Sequence, residues 1–95
     1  MTHRLTKLRA SIDEIDESLI RLLAERFLVT REVGRLKADL GLEPIDADRE
    51  AQIEQKARRL ALDNDLDADL VIEVLRSIID RVVAEHQSLT KASDK

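Results

Sequence analysis

Apolar residues recur along the first part of the chain in steps of three and four. They fall at Leu5, Leu8, Ile12, Ile15, Leu19 and Leu22, then at Val29, Val33, Leu36 and Leu40. That alternation is a heptad seam on one long amphipathic helix, predicted from about Leu5 to about Leu40. At ~1.5 Å per residue such a helix extends on the order of 50 Å. A single globule of 95 residues has no need of a helix that long, so the pattern implies two chains packed along each other. Gly41 is the expected terminator, and Leu42 to Ile45, with Pro44, make a short connection.

Two shorter helices follow. Asp46 or Asp48 is the expected N-cap of the second, where acids also favour the positive end of the helix dipole. Its apolar positions are Ile53, Ala57 and Leu60, and it is predicted to end near Leu62. Asp63-Asn64-Asp65 reads as a turn. Asp67 is the next N-cap, with Leu66 and Val71 at staple positions. The third helix carries a wide stripe of Val71, Val74, Leu75, Ile78, Ile79, Val82 and Val83. His86 lies four residues after Val82 and seven after Ile79, so it continues the stripe, whereas Gln87 falls about 100° further round. The small polar residues from Ser88 onward read as a frayed end. The expectation is an all-α fold, one domain over residues 1–95, ordered from about 4 to 88, with 89–95 as a tail.

Composition agrees with this and narrows the chemistry. The chain is 43% hydrophobic and 38% charged, with one Phe, no Trp and no Tyr, so any core is aliphatic. There is no Cys, which excludes disulfides and thiolate metal sites. The two histidines, His3 and His86, are too few for an evident metal cluster, and no metal or cofactor is expected. A net charge of −4 argues against nucleic acid as the main partner. No apolar run approaches the ~20 residues of a membrane span. The start of the chain has no signal-peptide apolar region. A cytoplasmic location is the resulting expectation.

Charges stand where apolar residues belong. Arg26 occupies a slot of the heptad seam, and a guanidinium there is costly unless paired. It is either an intermolecular salt-bridge partner that sets dimer register or the base of an anion pocket. Lys37 lies eleven residues on, within ~20° of the same helix face and ~16 Å along the axis. It is either that pocket's second cation or a lysine stretching to solvent. Arg9 is about 25 Å from Arg26 on the same helix and rotated by about 100°, so only an antiparallel partner helix brings it to that pocket. In Asp46-Ala47-Asp48-Arg49-Glu50, capping accounts for the acids. Arg49 opposes the helix dipole, and an anion contact would explain it. His86 on an apolar stripe is either a satisfied core histidine or a group aimed into a cavity of the bundle.

Together, Leu8-Arg9-Ala10-Ser11-Ile12-Asp13-Glu14-Ile15-Asp16, Leu22-Leu23-Ala24-Glu25-Arg26, Val33-Gly34-Arg35-Leu36-Lys37 and Asp46-Ala47-Asp48-Arg49-Glu50 resemble the AroQ-type chorismate mutases. The likeness runs from about Leu5 to about Gln87. It implies three helices per subunit, one long and two shorter, in an intertwined helical-bundle homodimer with two active sites. It implies a cofactor-free rearrangement of chorismate to prephenate in the biosynthesis of phenylalanine and tyrosine. On this sequence, Arg26 and Arg49 correspond to ligands of the substrate carboxylates or their supports, and Arg9 reaches in from the other subunit. Lys37 corresponds to the residue that binds a carboxylate and the ether oxygen. Asp46 and Glu50 correspond to residues around the ring hydroxyl.

Two positions depart from the family's pattern. His86 stands where Gln commonly donates a hydrogen bond to the ether oxygen, a bond an imidazole N–H can also make. Val82 stands where some members place a Ser against a carboxylate. The same fold also serves isochorismate pyruvate lyases, and a mutase for 4-amino-4-deoxychorismate is a further alternative. Some small members gain activity by docking on the first enzyme of the shikimate pathway. From another class, the chain could be a non-catalytic helical dimerisation module.

Overall fold

Each apolar-patterned stretch is rich in Leu, Ala, Glu, Lys and Arg, the residues that lose least on entering a helix. In the computed structural model, which describes residues 2–93, each becomes one helix. α1 spans Thr2–Leu40, α2 Ala47–Asp63 and α3 Ala68–Ser93, and no strand occurs among the described residues. The fold is all-α, as the periodicity predicts. The chain falls into two compact units, residues 1–30 and residues 31–95.

The first unit is a single stretch of helix. Its heptad seam stands in the open, with Leu8 53%, Ile15 65% and Leu22 62% exposed. Burying a side chain of this size is worth roughly 1.5–3 kcal/mol. A helix of this length draws most of its stability from packing such a face. Among the described residues of this unit, none covers the seam.

In the second unit α2 and α3 form an antiparallel hairpin. Arg76 of α3 reaches Glu50 near the start of α2, while Arg58 further along α2 reaches back to Asp69 at the start of α3. The buried apolar residues are Ala57 and Ala61 on α2 and Ile79 on α3. The two alanines leave little side-chain bulk between the helices, which allows a close approach.

Local hydrogen bonds end each of the first two helices. The Gly41 N–H donates to the Ala38 carbonyl and the Leu42 N–H to that of Lys37, with Gly41 at φ 68°. This is a Schellman motif. α2 ends in the same way: Asp65 donates to Leu62 and Leu66 to Ala61, with Asp65 taking the left-handed conformation at φ 55°. One Asp46 carboxylate oxygen accepts from the Arg49 N–H at 3.0 Å and caps α2. One Asp67 oxygen accepts from the Asp69 N–H at 3.0 Å and caps α3.

α3 continues as helix past Ser88 to Ser93. Leu89 and Thr90 are half-buried, and Leu89 sits beside Gly34 of α1. A packed leucine there holds the extra turn. Residues 94 and 95, the rest of the expected tail, lie outside the described residues.

Candidate active site

Of the residues singled out from the sequence, Arg9 and Arg26 belong to the first unit. Arg9 is exposed on α1. Arg26 is half-buried, and its Nη1 is buried with no hydrogen-bond partner among the described residues. A buried guanidinium N–H without an acceptor is costly, more so than a neutral donor. It is the kind of group that binds an anionic oxygen.

The second unit carries Lys37, Asp46, Arg49, Glu50, Val82 and His86. Lys37, in the last turn of α1, is half-buried, and its Nζ donates to the Pro44 carbonyl at 3.2 Å. An ammonium has three donors, so two remain for a ligand. Lys37 lines an open pocket of about 330 Å³ with Ile45, Asp46 and Asp48. Asp46, one of the residues lining this pocket, also caps α2. Arg49 is exposed in the first turn of α2.

Glu50 is half-buried and bound twice. Its N–H donates to the Asp46 carbonyl at 3.0 Å, and its Oε1 accepts from Arg76 Nη1 at 2.9 Å. Arg76 did not stand out in the sequence, since an arginine on the polar edge of an apolar stripe is ordinary. Val82 is half-buried on the inner stripe of α3. His86 is 4% exposed, and Gln87 beside it is exposed. The imidazole lies against α1 at Gly34. Gly34 was another residue without an assigned role, although a lone glycine inside a strong helical pattern is a signal of close packing.

The structure therefore places Lys37 and Asp46 on one pocket, Glu50 on the hairpin with Arg76, and His86 in the packed region between α3 and the end of α1. Among the described residues, no group of His, Cys, Asp and Glu is arranged to hold a metal ion.

Comparison with known proteins shows the family. The family model for chorismate mutase type II matches residues 8–87. A chorismate mutase of Methanocaldococcus jannaschii is 30% identical over 96 residues, a match that covers all of this chain and 97% of that protein. A T-protein of Enterobacter agglomerans is 35% identical over the whole chain, which spans 24% of it. A bifunctional chorismate mutase/prephenate dehydratase of Escherichia coli K12 is 36% identical over 86 residues, 90% of this chain and 22% of that protein. The chain thus has the extent of the first relative and of under a quarter of the two longer ones.

Proposed function

The chain belongs to the chorismate mutase type II family, and from that premise we propose that it rearranges chorismate to prephenate in aromatic amino acid biosynthesis. Chorismate is a dianion, and its rearrangement is a unimolecular pericyclic shift. No nucleophile or general base is required. The protein has to hold the reactive chair-like conformer. It also has to stabilise negative charge on the ether oxygen as the C–O bond lengthens.

Arg26 carries this reading. Its buried Nη1 has no hydrogen-bond partner among the described residues, and a substrate carboxylate is the acceptor that suits it. In the same proposal Lys37 takes a carboxylate and the ether oxygen, and Arg49 supports the carboxylates. Asp46 and Glu50 accept from the ring hydroxyl. His86 donates to the ether oxygen in place of an amide, and Val82 supplies an apolar wall.

The proposed assembly is a homodimer in which Arg9 enters the partner's site. The open heptad seam of α1 supports it, because a second copy of the same seam covers it in a coiled-coil register. An activating enzyme of the shikimate pathway is a further proposed partner, for which the departures at Val82 and His86 leave room. A cytoplasmic location completes the reading. Among the described residues no helix is long and apolar enough to cross a membrane.

The test is to follow loss of chorismate absorbance with the purified protein and to identify the product. Prephenate formed at an enzymatic rate, and abolished by Arg26→Ala, is the expected result. Pyruvate with salicylate from isochorismate, and no prephenate from chorismate, would replace the mutase reading with the lyase.

A further inference from the structure

We propose that Arg76 is a specificity-determining residue: by neutralising Glu50, it makes the ring-hydroxyl subsite accept a neutral hydroxyl and reject an ammonium. The inference rests on the proposed role of Glu50 at the ring hydroxyl and goes beyond it, because it concerns a residue outside that set and a choice between substrates.

The geometry is direct. Arg76 Nη1 lies 2.9 Å from Glu50 Oε1, and the Glu50 side chain is 24% exposed against 47% for Arg76. The carboxylate is therefore the more enclosed partner, and the guanidinium approaches it from the solvent side. The cleft beside them, walled by Ile53, Ala57 and Ile79, has a volume of only about 10 Å³, room for a single water at most. The other acid on this wall, Glu54, is already paired with Arg58 at 3.1 Å. Arg58 also reaches Asp69 at 3.9 Å, which leaves Arg76 as the counter-ion of Glu50.

Electrostatics then decides what Glu50 can bind. A carboxylate without a counter-ion attracts an ammonium more strongly than a hydroxyl, since the first is a charge–charge contact and the second a charge–dipole contact. With a guanidinium on Oε1 the net attraction for a cation is largely cancelled, and an incoming ammonium also meets Arg76. Oε2 still accepts a hydrogen bond from a neutral hydroxyl. Chorismate and its 4-amino-4-deoxy analogue differ at this ring position, hydroxyl against ammonium.

The experiment measures kcat/KM for both substrates with the unaltered protein, Arg76→Gln, Arg76→Lys and Glu50→Gln. Arg76→Gln keeps a donor to Glu50 and removes the charge. It should raise the amine-to-hydroxyl ratio by about fivefold, the scale of one partly exposed ion pair. Arg76→Lys, which keeps the charge, should hold the parental ratio. Glu50→Gln leaves the cation alone and should move the ratio the other way. If Arg76→Gln lowers both values together at a constant ratio, Arg76 only props the hairpin and the inference fails while the mutase reading stands. If the unaltered protein turns over neither substrate, both fail.

Discussion

Gly34 and His86 occupy one another's space. A Cβ on Gly34 would stand 2.5 Å from Cδ2 and 2.8 Å from Nε2 of the His86 imidazole, and 3.0 Å from a Leu89 methyl. The missing side chain on α1 is what lets the ring of α3 lie against the helix. Gly34→Ala should therefore destabilise the protein, although alanine is by itself the better helix former by about 1 kcal/mol. Overpacking on this scale costs about 1–3 kcal/mol. In the background of His86→Ala the sign should reverse, with Gly34→Ala now stabilising. Urea unfolding of the four proteins in a double-mutant cycle measures this coupling. Additive effects would show that the two residues do not compete for the same space.

Arg26 separates catalysis from assembly. Removing one preorganised donor from a site where charge develops costs about 10²–10³-fold in rate, and Arg26→Met should lose at least that much. The same substitution removes a buried charge with an unpartnered N–H, so the folded protein should become more stable to heat or urea. Lost turnover with gained stability is the expected pair of outcomes. Gained stability with turnover intact would make Arg26 a register device only.

The seam on α1 makes a claim about assembly. Ile15 is 65% exposed and Leu22 62%, so in an isolated chain an aspartate at either position would be an ordinary surface change. If a second copy covers the seam, Ile15→Asp or Leu22→Asp buries an unpaired charge in the interface and should split the dimer. Analytical ultracentrifugation reads the mass, and circular dichroism should show α1 losing helix in the monomer. A protein that sediments the same before and after either substitution would exclude the coiled-coil interface.

Two left-handed residues end two helices, and they should respond oppositely to exchange. Gly41 adopts φ 68°, and a Cβ added there would meet nothing within 4 Å. Gly41→Ala should therefore cost about 1 kcal/mol from backbone conformation alone. Asp65 at φ 55° already bears that strain, and Asp65→Gly should be stabilising by a few tenths to about 1 kcal/mol. Thermal unfolding of the two variants gives both signs.

How far the chain reads from sequence follows from the range of each interaction. The long first helix, the stop at Gly41, the caps at Asp46 and Asp67 and the inward direction of His86 rest on neighbours within a turn or two. Periodicity and capping chemistry record these in the order of residues. The length of α3 was not legible, because Ser88 to Ser93 look polar, whereas Leu89 packs beside Gly34. Asp65 gave no local sign of its left-handed backbone, since Asp-Asn-Asp suits several turns.

By itself the sequence determined the all-α class, the three helices and the run of apolar and cationic positions along α1. These depend on period and composition. Only the tertiary structure decided that Arg76 belongs to Glu50, that Gly34 makes room for His86, and that Lys37 anchors to Pro44 beside Asp46. Each of these needs the distance between groups on different elements. A one-dimensional pattern holds helix faces but not the crossing of helices, and the crossing sets which side chains meet.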